Sequence, residues 1–205
     1  MDAGMSPWPL VGMLVLGAVL GTAAGVLARL AARRAVGAAV AAGRYEAAGA
    51  IGGALAAGIT DGPAETSAAV ALIGWCLSLC ATDLRVHRLP NVLTLPGFAL
   101  IVAYAAAGGR AATCVLAGVV LAGLYGAVWL VSPASMGAGD VKLALGIGAV
   151  TGLAGATVWL CAAVLAPILT AGWGIASVRR TGGRVPHGPS MCLAALGALA
   201  VASWG

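Results

Sequence analysis

The longest segment without a charged residue runs from Leu143 to Val178, 36 residues in a row. As one helix it would measure about 54 Å at ~1.5 Å per residue, far more than the ~30 Å thickness of a bilayer's hydrocarbon core. Two shorter helices that turn near residues 152–155 fit this length better. An apolar segment of this kind predicts a chain whose solvent is the lipid bilayer.

The composition supports a membrane environment. Of 205 residues, 61% are hydrophobic and 8% are charged, whereas a soluble domain carries about 25% charged residues. The net charge of +5 could favour nucleic acid, but the basic residues lie between the apolar segments, so we expect no nucleic-acid partner. The five cysteines are dispersed and form no CxxC pair, so we expect no metal site and no disulfide framework.

The apolar segments, taken between charges and turn residues, predict an all-α fold. We expect a polytopic transmembrane helical bundle of about eight spans, with six as the lower count. It forms one membrane domain over residues 1–205, because the loops are too short to hold a soluble module. The predicted spans are residues 7–28, 46–61, 65–82, 92–107, 112–132, two passes within 143–178, and 188–204.

The basic residues predict the orientation of the spans. With the N-terminus outside, ten of the eleven Lys and Arg residues fall on the cytoplasmic side, and only Arg110 lies outside. This is the charge bias expected of a multi-pass protein of the cell membrane. Omitting the short span 46–61 would scatter the basic residues over both sides, so the bias supports that span.

Two of the six acidic residues stand out by position. Asp83 ends an otherwise apolar span, and Asp140 follows a glycine-rich turn just before another span. Ionisable groups at such depth are costly and tend to face the interior of a bundle. Three interpretations stay open at this point: helix-end charges, proton-relay groups of a transporter, or a pair of carboxyl groups that share one proton and activate water.

The sequences around both aspartates carry a family resemblance. Asp83-Leu-Arg-Val-His-Arg-Leu-Pro-Asn-Val-Leu-Thr and Gly137-Ala-Gly-Asp-Val-Lys-Leu resemble the two aspartate motifs of the type IV prepilin peptidases, which are GxGD-type aspartic proteases. Val185-Pro-His-Gly-Pro-Ser is similar to the segment that opens the last helix of that family. The resemblance covers a peptidase core of about residues 65–204.

The resemblance implies an aspartic endopeptidase that needs no cofactor and no metal. Its substrates would be type IV prepilin-like precursors, of the Flp or pseudopilin type, whose basic leader peptide it would remove at the cytoplasmic face of the membrane. Asp83 and Asp140 would be the catalytic pair. The residues expected to shape the site or to bind substrate are Gly137, Gly139, Lys142, Pro90 and Asn91.

One departure from the family narrows the expected activity. Larger members carry a cysteine-rich cytoplasmic segment between the first spans and also N-methylate the new pilin terminus. Here the first cytoplasmic segment, about residues 29–45, contains no cysteine. We therefore expect a short-form prepilin peptidase without N-methyltransferase activity. The alternatives are a proton-coupled small transporter and a non-catalytic membrane subunit of pilus assembly.

Overall fold

The computed structural model describes residues 8–37, 41–133, 136–181 and 185–203. Within these ranges the chain forms eight α-helices and no strand, which confirms the predicted all-α class. The helices are α1 (Trp8–Val36), α2 (Arg44–Ile59), α3 (Pro63–Val86), α4 (Asn91–Ala107), α5 (Ala111–Val131), α6 (Ala138–Ala154), α7 (Ala156–Thr181) and α8 (Gly188–Ala202).

The long uncharged segment divides where its length requires a turn. α6 ends at Ala154 and α7 begins at Ala156, with Gly155 between them at a φ of 124°. This left-handed region strongly favours glycine, because a side chain would meet the backbone there. The predicted division of this segment into two helices is therefore confirmed, and the turn lies at the end of the predicted range.

Two helices extend past the spans that the charge pattern predicts. α1 continues to Val36, and its last turn carries Arg33 and Arg34. Basic side chains are favourable at a helix C-terminus because they face the negative end of the helix dipole. The charges thus mark the limit of the apolar segment but not the end of the helix. In the same way α3 continues to Val86.

The distribution of polar and apolar side chains is that of a membrane protein. Within the described ranges, four helices are long and apolar enough to cross a bilayer, and α4 and α8 are shorter apolar helices. Large apolar side chains lie on the outside, among them Val131 at 87% and Ile175 at 81% exposure. Several hydroxyl groups lie inside, among them those of the fully buried Thr82, Thr94 and Thr151. A surface of this kind suits lipid instead of water.

The chain divides into two compact units, Met1–Ser78 and Leu79–Gly205. In the first unit α1 packs along α2, and the Arg29 Nε donates a hydrogen bond of 2.6 Å to Glu46 Oε1. In the second unit α6 is central, since it packs against α4, α5, α7 and α8. A Cβ atom added to Gly148 of α6 would lie 2.7 Å from the Ala117 carbonyl oxygen of α5. This close approach makes α6 the buried helix on which the second unit is assembled.

Candidate active site

Asp83 lies in the last turns of α3, within the second unit, and is 5% exposed. The backbone N–H of Gly188, the first residue of α8, donates a hydrogen bond of 2.9 Å to its Oδ2. Only a residue without a side chain lets the backbone come this close, because a Cβ atom on Gly188 would lie 2.8 Å from the same oxygen. The start of α8 therefore holds one oxygen of this carboxyl group.

Asp140 is the third residue of α6 and is 8% exposed. Its Oδ2 accepts a hydrogen bond of 3.0 Å from the backbone N–H of Gly137, and its own N–H donates to the Gly137 carbonyl at 3.0 Å. These reciprocal bonds satisfy groups that a helix start otherwise leaves unpaired. An acidic side chain is also favoured at this end by the helix dipole. The turn thus holds the second carboxyl group as firmly as α8 holds the first.

Burial sets the proton affinity of Asp140. This residue precedes the apolar part of α6, which begins at Leu143, and lies outside the four candidate spans. Burial raises the pKa of Asp140 to about 6, and the charge of Asp83 acts in the same direction. The two carboxyl groups are therefore within electrostatic reach of one another, as expected for groups that share one proton.

The two aspartate motifs also contact each other directly. Lys142 Nζ donates a hydrogen bond of 2.8 Å to Asn91 Oδ1. A Cβ atom on Gly139 would lie 3.0 Å from the Cβ of Leu89, so the glycine lets the two turns pack together. Pro90 immediately precedes α4, and its carbonyl accepts the first hydrogen bonds of that helix. The residues expected to shape the site thus join the start of α4 to the start of α6.

Two side chains near the aspartates were not among the sequence candidates. Tyr125 of α5 is 8% exposed and lies within electrostatic reach of Asp140. His187, directly before α8, has its ring centroid 5.6 Å from that of Tyr125. Burial lowers the pKa of His187 to about 4, so its imidazole is neutral at neutral pH. The one signal in the sequence was the place of His187 within the third motif.

The other histidine near the site lies toward the surface. His87 follows α3 directly, is exposed, and has a φ of 49°. It lies within electrostatic reach of Asp83. Among the residues that the structure describes, no three His, Cys, Asp or Glu side chains come together as a metal site.

The comparisons with known proteins address the family. The sequence model of the type IV leader peptidase family matches residues 70–175, just over half of the 205 residues, and the match includes both aspartates. The chain belongs to the type IV leader peptidase family. The resemblance is thus confirmed, and this leader peptidase is a protease of the membrane. Comparison with curated proteins and with solved structures gave no match.

Proposed function

We propose that this leader peptidase is an aspartic endopeptidase whose catalytic pair is Asp83 and Asp140. One observation carries the proposal: two buried carboxyl groups lie within electrostatic reach, and each is held by a backbone amide of the chain. Paired carboxyl groups that cannot both ionise divide the roles of acid and base between them.

The chemistry follows from where the shared proton resides. We assign the proton to Asp140, whose pKa burial raises to about 6, so that the singly protonated pair is populated as the pH falls toward that value. In that state Asp140 donates a hydrogen bond to the scissile carbonyl oxygen. Asp83 takes a proton from a water molecule as the water oxygen attacks the carbonyl carbon. The tetrahedral intermediate breaks at its C–N bond, and the departing amine nitrogen takes the proton that Asp83 removed from the water molecule. The products are a leader with a free carboxylate and a shortened protein with a new amino terminus.

The proposed substrates are prepilin-like precursors that carry a short basic leader ahead of an apolar helix. The family membership and the membrane character of the fold support this assignment. A precursor of this kind has its apolar helix in the bilayer and its leader at the surface, where the predicted topology puts Asp83 and Asp140. The bias of ten of eleven basic residues to one side supports a cytoplasmic site in the cell membrane.

We propose peptidase activity alone, without N-methylation. The support is the sequence of residues 29–45, which contains no cysteine. Incubation of the purified protein with precursor and S-adenosylmethionine tests this, because methylation adds about 14 Da to the product. A methylated amino terminus would contradict the proposal.

The catalytic pair is tested with purified protein in detergent and a synthetic precursor, with the product identified by mass. Asp83→Asn and Asp140→Asn each keep the side-chain size but remove the ability to share a proton. We expect each to lower kcat by at least ~10²-fold, the usual range for loss of acid–base catalysis. Asp61→Asn is the matched control, because Asp61 is an exposed carboxylate in the first unit. Cleavage by either Asn variant at the wild-type rate would refute the assignment.

A further inference from the structure

The backbone amide that holds Asp83 lies next to a buried histidine. Gly188 donates its N–H to Asp83 Oδ2 at 2.9 Å, so the position of that carboxyl group depends on the backbone just before α8. The residue on the other side of this peptide bond is His187. The carbonyl of this peptide unit accepts a hydrogen bond of 3.1 Å from the Met191 N–H. The contacts of the His187 imidazole add a second constraint on where the Gly188 amide points.

The imidazole of His187 is held by a hydrogen bond from one side. Thr170 Oγ1 of α7 lies 3.0 Å from the Ala166 carbonyl oxygen and 2.5 Å from His187 Nδ1. A hydroxyl has one proton to donate. We place the proton between Thr170 and His187 on Nδ1, because the hydroxyl can then donate to Ala166 and accept from the ring, and both contacts are satisfied. The same tautomer leaves Nε2 of His187 as an acceptor.

The ring of His187 is held by packing from another side. Its centroid lies 5.6 Å from that of Tyr125, at an interplanar angle of 37°. Tyr125 itself lies within electrostatic reach of Asp140. The Tyr125–His187 contact thus joins the surroundings of Asp140 to the backbone amide that holds Asp83.

A purely structural ring would not need to be a histidine here. Nε2 of His187 is buried and has no hydrogen-bond partner among the described residues. Leaving such an atom unpaired costs about 1–3 kcal/mol, and a phenylalanine of similar shape would avoid that cost. What the imidazole adds over a phenylalanine is the Nδ1–H bond to Thr170.

We propose that His187 is a positioning residue, which through Thr170 and Tyr125 fixes the Gly188 amide on Asp83 and keeps the two aspartates in register. The inference rests on the proposed function for its effect on catalysis. Its effect on the Gly188 amide does not depend on that function. The two can therefore be tested separately.

The amide is measured directly by selective labelling. The chain contains two histidines, and only His187 is followed by glycine. Labelling histidine carbonyl carbons with ¹³C and glycine nitrogens with ¹⁵N therefore singles out the Gly188 amide in an NMR spectrum of detergent-solubilised protein. In the wild type this amide should exchange slowly with deuterium, because it is buried and hydrogen-bonded.

Four variants separate the hydrogen bond from the packing. His187→Phe keeps the ring and removes Nδ1, whereas His187→Asn places an amide at the position of Nδ1 and removes the ring. Thr170→Val removes the partner hydroxyl. Thr22→Val is the matched control, because Thr22 makes the same bond to the carbonyl four residues earlier, at 2.8 Å, on α1 of the first unit.

Loss of the Nδ1 bond should loosen the amide and slow cleavage together. For Thr170→Val we expect Gly188 exchange to accelerate at least ~10-fold, and kcat to fall ~10- to 100-fold with KM changed less than twofold. In His187→Phe, Gly188 follows a phenylalanine, so that sample carries ¹³C on the phenylalanine carbonyl carbons. This variant should show the same changes in exchange and kcat. The kcat of the double variant Thr170→Val/His187→Phe should be no lower than that of the slower single variant, because both substitutions remove the same hydrogen bond. His187→Asn should retain more kcat than His187→Phe, and Thr22→Val should match the wild type.

Other outcomes would overturn the positioning role. Unchanged Gly188 exchange in both Thr170→Val and His187→Phe would do so, whatever happens to cleavage. A fall in thermal stability with kcat unchanged per folded molecule would reduce His187 to a packing residue. If the wild-type protein cleaves no precursor, the proposed function fails, but the exchange data still decide whether His187 fixes the amide.

Discussion

The site depends directly on the contact between the Gly188 backbone and the carboxyl group of Asp83. The substitution Gly188→Ala perturbs this contact by adding one methyl group. In the structure, a Cβ atom at this position would lie 2.8 Å from Asp83 Oδ2, 3.3 Å from its Cγ and 3.4 Å from its Cβ. All three atoms belong to the same side chain, which is 5% exposed. The new methyl group would therefore push the carboxyl group itself, and a buried side chain has little room to yield.

The size of the displacement follows from these distances. Ordinary contact begins at 3.4 Å, so relief of the 2.8 Å approach needs a movement of about 0.6 Å. A misplacement of about 1 Å can cost ~10²-fold in rate, so we expect Gly188→Ala to lower kcat between ~10- and ~100-fold. The overlap should also lower the free energy of unfolding by about 1–3 kcal/mol, as over-packing does elsewhere.

Gly197→Ala provides the matched control on the same helix. No atom lies within 4 Å of a Cβ added to Gly197, and alanine in place of a helical glycine stabilises by about 0.5–1 kcal/mol. Both variants are purified in detergent and assayed for initial rates of precursor cleavage and for apparent melting temperature. Wild-type kcat in Gly188→Ala would refute the reasoning, because it would mean that the amide contact with Asp83 does not position the carboxyl group.

Three further predictions concern the second unit. Burial raises the pKa of Asp140 to about 6 from 3.8, so at this residue the folded protein retains a proton that the unfolded chain releases, whereas the lowered pKa of His187, about 4, acts in the opposite direction. The Asp140 contribution is isolated by comparison with Asp140→Asn: the melting temperature of the wild type minus that of the variant should fall as pH rises from about 4 to about 7, and a constant difference would contradict this. Lys142→Met and Asn91→Leu should each slow cleavage, because their hydrogen bond joins the two motifs. A double-mutant cycle of the two substitutions should give a coupling energy of about 0.5–1.5 kcal/mol. Additive effects of the two substitutions would contradict this. Gly148→Ala should lower the melting temperature, because its Cβ would lie 2.7 Å from a backbone oxygen, whereas Gly123→Ala, with nothing within 4 Å, should not.

The helices could be predicted from the sequence because lipid imposes a simple rule on length and charge. The turn at Gly155 follows from an uncharged segment too long for one crossing, and the structure has it within the predicted range. The ends of α1 and α3 could not be predicted in this way. Hydropathy reports where the apolar segment stops, whereas the backbone continues as a helix through Arg33 and Arg34, whose charges favour its C-terminus.

In the candidate site, too, the sequence predicts some features and not others. Asp83 and Asp140 stand out because a carboxyl group at the end of an apolar segment is rare and costly. Of their hydrogen-bond partners, Gly137 was among the predicted residues because it belongs to the second aspartate motif, whereas Gly188 was not. Gly188 is 105 positions from Asp83 along the chain, and its role depends on the register in which α8 packs. Tyr125 likewise appears in the sequence as one of two aromatic residues in an apolar helix, and only tertiary packing brings it to His187.

The two aspartates share a kind of partner that suits a pair with one proton. Each accepts a hydrogen bond from the backbone amide of a glycine at a helix start, Gly137 before α6 and Gly188 in α8. An arginine or lysine in either place would hold its carboxylate permanently ionised, because an opposite charge strongly favours the charged form. A neutral amide orients the oxygen without adding an opposite charge, which is compatible with the proposed sharing of one proton. Glycine makes this possible, since at Gly188 any larger residue would displace the carboxyl group that the amide holds.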